Sequence, residues 1–314
     1  MKVKTILLTT ILTMVTVFSG FTASDLSDDF GILYEMAVLD KVRIKREKEE
    51  AKKKAEEDKI AAEKKAEEDR IAAEKKNKLE KSMGISAQNP EEVLSKMVKI
   101  TGMEKGDFYI LNTEVTCGLY CKVMGNKGVK EEKFCYPKQR VSCVDAINFC
   151  NKLSELCGLK PYYGVPKVVE KVKNHMVIYE KLTCKTFNTN GFRLPDTTEW
   201  LYAAAGGENS KYFGSDEIEE VGWYDKNSES PNIVADKKPN KYGLYDMSGN
   251  LREWCLNATS KDDFDKYLLG GDFDSSKDDC SFAGNMDKIN NHKTFPYADP
   301  NYSDIGFRIV RKAE

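Results

Sequence analysis

Residues 55–65 read AEEDKIAAEKK and residues 66–76 read AEEDRIAAEKK. An eleven-residue repeat with one conservative change restricts this part of the chain before any other reading. Alanine, glutamate and lysine are strong helix formers, and no glycine or proline interrupts residues 32–83. A charged helical stalk is therefore expected over residues 38–82. A helix over residues 41–81 spans on the order of 60 Å at about 1.5 Å per residue. Glu49 with Lys53, Glu50 with Lys54, and Glu74 with Lys78 have the i,i+4 spacing of helical ion pairs. Eleven residues in three turns argues against a left-handed coiled coil. Ile60 and Ile71 are the only large members of the apolar stripe. The expectation is a solvated single helix acting as a spacer, with a weak right-handed oligomer as its competitor. Acids and bases interleave, which speaks against a nucleic-acid arm.

Upstream, Lys2 and Lys4 precede an apolar run from Thr5 to Phe18, followed by Ser19, Gly20, Thr22, Ala23 and Ser24. That order reads as a secretory signal over residues 1–23. The run falls short of the roughly 20 apolar residues of a membrane span. An uncleaved anchor is the alternative, and only then is the membrane a partner. In either case residues 24–37 form a short segment and the rest of the chain is expected outside the cytoplasm, periplasmic or secreted. The first cysteine is Cys117, so no lipid-accepting cysteine follows the signal.

Net charge is -2, leaving no global basic field to recruit nucleic acid. The two histidines, His175 and His292, cannot build a three-histidine metal site, and they make Ser-His-Asp or Cys-His catalysis a poor fit. Nine cysteines occur, an odd number that leaves at least one thiol unpaired. Cys117 and Cys121 are followed by no second pair with zinc-ligand spacing. Buried thiols behave as small hydrophobes.

Composition changes after Ser82. Residues 83–91 carry turn residues and read as a linker, and residues 92–314 are long enough for a buried core. Phe108, Tyr109 and Ile110 begin a strand-like run. Ser142 with Asp145 caps a helix carrying Val144, Ile147, Cys150, Leu153 and Cys157, which Gly158 stops. Asp196 with Glu199 caps a second helix through Trp200 and Ala205, ending at Gly206-Gly207. The class is α+β with low regular content.

Seven motifs then appear in order: FYILNTEVT (108–116), VSCVDA (141–146), FCNKL (149–153), FRLPDTTEWLYAAA (192–205), PNKYGLYDMSGNLREW (239–254), GGDF (270–273) and GFRIVR (306–311). Together they resemble the formylglycine-generating enzyme, or sulfatase-modifying factor, domain over residues 92–314. The resemblance implies a variant of the C-type lectin fold rich in loops. Arg193, Arg308 and Trp254 read as organisers of core and loops, and Arg308 has the planar fork to satisfy several carbonyls at once. Gly243, Gly249, Gly270 and Gly271 suit turns needing positive φ.

The resemblance also implies a calcium site at Asp246, Gly249, Leu251 and Glu253, two carboxylates with two main-chain carbonyls, a hard-oxygen set suited to Ca²⁺. An arginine-paired or solvated acidic loop is the alternative there. Family oxidases hold copper(I) between two cysteines after the Gly-Gly motif, and soft thiolates suit that ion. The corresponding positions are Ser275 and Cys280, so one thiolate is missing. The expected function is an exported, non-oxidase binding or structural module displayed on the stalk. Its ligand is an unidentified protein, peptide or glycan, met by the polar loop of residues 272–304. The alternative is an oxidase converting a substrate cysteine to formylglycine with copper and O₂, which would require Cys255 or Cys184 to reach Cys280.

Overall fold

A computed structural model describes residues 23–126, 128–173, 176–259, 263–290 and 304–313. The apolar run of the expected signal, both histidines and residues 291–303 of the expected ligand loop lie outside the described residues. The chain divides into two units, residues 1–73 and 74–314.

Helix α1 (Ala23–Ile85) covers the expected short segment and the whole expected stalk. From Val38 through Lys78 its side chains are exposed. Its i,i+4 ion pairs run from base to acid, as in Lys45–Glu49, Lys59–Glu63 and Lys76–Glu80, rather than from glutamate as expected, while Asp40–Arg43 and Glu67–Arg70 run from acid to base at i,i+3. Lys78, expected to meet Glu74, reaches Asp236 at 3.3 Å. Residues 83–91 do not behave as a free linker. Residues 83–85 continue the helix, and Ser82, Ser86, Ala87 and Gln88 are buried. Asn112 Nδ2 donates to Ile85 O at 3.0 Å and Thr116 Oγ1 donates to Ala87 O at 3.2 Å. Buried backbone oxygens need such partners, and supplying them ties this stretch into the second unit.

In that unit β1 (Met97–Ile100) and β2 (Phe108–Leu111) form an antiparallel pair. Helix α2 (Cys117–Met124) starts where Thr116 Oγ1 accepts from Leu119 N and ends at Gly125 with φ 73°. Helix α3 (Cys143–Leu156) carries the expected capping box of Ser142 and Asp145. A hairpin follows, β3 (Lys167–Lys173) and β4 (Met176–Thr183). Helix α4 (Thr197–Ala205) carries the second expected capping box, Asp196 with Glu199, and stops at Gly206 in the left-handed region. Then come β5 (Gly222–Trp223), β6 (Ser248–Gly249), β7 (Arg252–Ala258), β8 (Asp263–Leu269), α5 (Phe282–Asn290), β9 (Ile305–Gly306) and β10 (Val310–Lys312).

The strands make a sheet in the order β1-β2-β10, another in the order β3-β4-β8-β7-β9, and the parallel pair β5-β6. The register Trp254↔Leu268 across β7 and β8 places two fully buried side chains opposite each other. One core cluster gathers α2, α3 and the C-terminal segment. There Phe149 packs edge-on against Phe307 and stacks on Tyr120. A second surrounds Trp200, Phe213 and Leu269, and a third, smaller one holds Cys280 with Tyr212, Ile218 and Tyr224. Helices and short strands separated by long loops give the expected α+β class.

Candidate functional site

The site is built on two sharp turns. β8 ends at Gly270 and Gly271, with φ of 95° and 75°, and β6 ends at Gly249 with φ 84°. Gly249 N donates to Gly270 O at 2.9 Å and locks the turns together. Glycine is required for space as well as for φ. A Cβ on Gly271 would stand 2.5 Å from Cys280 Sγ, and one on Gly249 would collide with Trp223 O. The chain leaving Gly271 therefore passes Asp272 directly into the segment holding Ser275 and Cys280.

Of the two positions of the expected catalytic pair, Ser275 is anchored on Asp272 and Cys280 is closed off by burial. Ser275 Oγ donates to Asp272 Oδ1 at 2.7 Å and accepts from Asp272 N at 3.1 Å. Cys280 has no exposure. Its Sγ lies 4.0 Å from Asp272 O, a feeble contact. Burial pushes its thiol up to about 12, so it is protonated at physiological pH. A serine hydroxyl is a hard, neutral donor, and this one is already committed. The residues present do not fit a two-thiolate copper(I) centre. The cysteines considered as replacements, Cys184 and Cys255, belong to two other core clusters.

Beside Ser275 lies a cavity of about 290 Å³ lined by Arg252, Leu268, Asp274, Ser275, Ser276, Asp279 and Lys288. Arg252 is fixed by Asp272 at 2.7 Å and Asp304 at 3.3 Å. Lys288 Nζ donates to Asp279 O at 3.1 Å, and burial lowers its pKa. The cavity thus presents both signs of charge from positioned side chains.

The expected calcium residues sit in a buried charged cluster. Glu253 accepts from Arg308 Nε at 2.8 Å, Arg308 Nη2 at 2.7 Å and Trp200 Nε1 at 2.7 Å. The arginine-paired alternative therefore describes Glu253. Asp246 Oδ2 accepts from Ala235 N at 2.8 Å, while its buried Oδ1 has no hydrogen-bond partner. Burial pushes Asp246 up to about 6. Glu114, which lies in the FYILNTEVT motif but has no role implied there, completes the cluster by accepting from Asn250 Nδ2 at 2.8 Å and Leu251 N at 3.1 Å. Burial first, then the charges of Asp246 and Glu253, hold Glu114 well above the usual carboxylate range. Three carboxylates face one guanidinium, an arrangement that favours an added proton or cation. Among the described residues no three His, Cys, Asp or Glu side chains converge to hold a metal. A calcium ion would have to draw on main-chain oxygens, as the Gly249 and Leu251 positions imply. The orphaned Asp246 oxygen fits such an ion.

Two of the contributors were hidden from sequence reasoning. Glu114 is 137 residues from the Leu251 amide it serves. Arg252, like Glu114, falls inside a motif, but its link to Asp272 and Asp304 depends on strands that meet only in the fold.

Comparison with known proteins agrees with this architecture. The chain is 38% identical over 174 residues to the chaperone protein LppX of Paenibacillus barcinonensis, covering 48% of this chain and 61% of that one. It is 31% identical over 139 residues to the serine/threonine-protein kinase pkn1 of Chlamydia pneumoniae, covering 38% of this chain and 21% of that one. The chain thus spans about three fifths and one fifth of the length of these curated relatives. Among solved structures, Treponema denticola variable protein 1 superposes with a TM-score of 0.52 at 26% identity, covering 69% of this chain and 95% of that one. The fold is the formylglycine-generating-enzyme variant of the C-type lectin fold, preceded by a long charged helix. Residues 82–313 match the family model of the sulfatase-modifying factor enzyme 1-like domain, and the chain belongs to that family.

Proposed function

We propose that this chain is a non-oxidase binding module of its family, exported and displayed on its helical stalk, which takes a protein, peptide or glycan ligand at the cleft beside Ser275. The observation that carries the reading is the bond from Ser275 to Asp272, which stands where the family's oxidases place a metal-binding thiolate. The cleft itself supports a polar ligand, since Arg252, Lys288, Asp274 and Asp279 line one cavity. A relative named a chaperone adds support for a protein ligand.

Calcium belongs to the same proposal. It would be held by Asp246, the main-chain oxygens of Gly249 and Leu251, and Glu253, which would share it with Arg308. When bound, the ion supplies positive charge to a buried cluster rich in carboxylates. The chain's own residues do the rest: Glu114 fixes the Asn250-Leu251 turn and Arg252 fixes the floor of the cleft through Asp272.

The competing oxidase reading rests on Cys280 alone. It is tested by incubating the protein with copper(I), O₂, a thiol reductant and a cysteine-containing peptide, and detecting aldehyde with a hydrazide probe. No aldehyde is expected. Aldehyde that disappears in Cys280→Ala overturns the non-oxidase reading. The binding reading is tested on glycan and peptide arrays, where Ser276→Trp, which fills the cleft, is expected to abolish the signals of the unmodified chain.

A further inference from the structure

Two of the nine cysteines serve neither the cleft nor the deep core. Cys117 and Cys121 lie one turn apart on α2, and both reach solvent, as does Cys157; the other six are buried. Residues four apart on a helix share a face, with Cβ atoms roughly 5–6 Å apart. A disulfide requires Cβ atoms at about 3.5–4.5 Å. The pair therefore stays a dithiol as long as the first turn of α2 holds. That turn is secured by the Thr116 cap and by Cys117 N and Gly118 N donating to Tyr136 O and Phe134 O.

The same spacing suits another chemistry. Taking the zinc–thiolate length of about 2.3 Å, two collinear metal–thiolate bonds span roughly 4.6 Å, comparable with the Cβ separation; the Cys117 thiol, which donates to Pro137 O at 3.5 Å, would give up that contact to bind. The charges also balance. Two thiols that lose their protons carry two negative charges, and a monovalent cation leaves one. Burial raises both thiols, Cys117 to about 11, so the ion itself must displace the protons; the ammonium of Lys138 opposes that rise at both sulfurs, and that of Lys133 does so at Cys117. Lys138 is held in place by donating to Gln139 O at 2.7 Å and lies 5.1 Å over the Tyr120 ring. Cys121 opens onto a depression of about 410 Å³ shared with Gly118, Gly125, Val129 and Phe134, which gives an ion a way in to the Cys121 sulfur.

We propose that Cys117 and Cys121 form a two-thiolate site for a soft monovalent d¹⁰ cation of the copper(I) class. Soft thiolates select such ions over the hard divalent cations that prefer oxygen. Binding releases two protons and leaves one net negative charge beside Lys138. The site is independent of the proposed function, since it uses no residue of the cleft or of the Asp246 cluster.

The test titrates the reduced full-length protein into the copper(I)–bicinchoninate complex under argon and follows its absorbance. One equivalent of copper is expected to be withdrawn. Cys117→Ser and Cys121→Ser are each expected to weaken withdrawal at least ten-fold, with unchanged circular dichroism. Lys138→Met is expected to weaken it several-fold without touching a ligand, and Cys280→Ser to leave it unchanged. Failure to withdraw copper overturns the site, as does withdrawal that survives Cys121→Ser. Withdrawal that depends on Cys280 overturns it too, and moves the copper to the family's catalytic loop.

Discussion

Arg308 and Glu253 form an ion pair with no exposure of either side chain, joined at 2.8 Å through Nε and 2.7 Å through Nη2. The rest of the guanidinium reaches Leu111 O at 3.1 Å and Tyr245 O at 2.9 Å. One planar group thus ties the end of β2, the segment before Asp246 and the start of β7. Removing one partner of a buried pair costs about 3–5 kcal/mol, because the other is left charged and uncompensated. Arg308→Met is expected to lose that much in urea unfolding, and adding Glu253→Gln to recover part of it. A loss in Arg308→Met below about 1 kcal/mol would show that the pair does not organise the core.

Asp246 supplies the second prediction. Its Oδ1 is buried without a partner, and the cluster around it holds more negative than positive charge. Calcium at about 100 times its Kd would stabilise the fold by about 2.7 kcal/mol. Thermal unfolding with calcium and with chelator is expected to show that gain in the unmodified chain. Asp246→Asn, which removes a charge and keeps the shape, is expected to be at least as stable as the parent in chelator and to gain little from calcium. Equal curves with and without calcium for the parent would remove calcium from the proposal.

How much of this was legible in the sequence depends on the range of the interactions. The two capping boxes, the stops at Gly158 and Gly206, and the positive φ of Gly243, Gly249, Gly270 and Gly271 are local, so three or four neighbouring residues were enough to find them. Arg308 as an organiser was legible too, since its motif and its five donors left few other roles. Glu114 was not, because nothing near it in the chain requires a carboxylate; the Asn250 and Leu251 groups it serves arrive from a distant turn. Residues 83–91 looked like a linker because glycine, serine and asparagine are turn formers. Tertiary burial of Ser86, Ala87 and Gln88 overrides that preference.

Gly249 provides a test of the turn itself. Its φ of 84° and the carbonyl of Trp223 against its missing side chain leave no room for a Cβ. The left-handed conformation alone costs a non-glycine residue roughly 1–2 kcal/mol, and the clash adds overpacking strain of about 1–3 kcal/mol. Gly249→Ala is expected to destabilise the protein by about 2 kcal/mol or more. Gly243→Ala, at φ 81° with nothing within 4 Å of its Cβ, is expected to cost only the conformational part. Equal losses at the two positions would mean that the Trp223 contact has no energetic role.

Cys280 and Cys121 should separate by their reactivity. The thiolate is the nucleophile, and Cys280 combines complete burial with a thiol pushed up to about 12. Its thiolate fraction stays negligible from pH 7 to pH 9, and a reagent cannot reach it in the folded state. Cys121 is partly exposed; burial raises its thiol, while Lys138 pulls it the other way. Iodoacetamide on the native protein, read by peptide mass spectrometry, is expected to modify Cys121 several-fold faster at pH 9 than at pH 7. Cys280 is expected to be modified only after unfolding in urea. Native labelling of Cys280 with a rate rising through the ordinary thiol range would mean that the Asp272–Ser275 loop opens and presents a thiolate. The case against metal chemistry at that loop would then fail, because its physical basis is a thiol that is closed off and protonated.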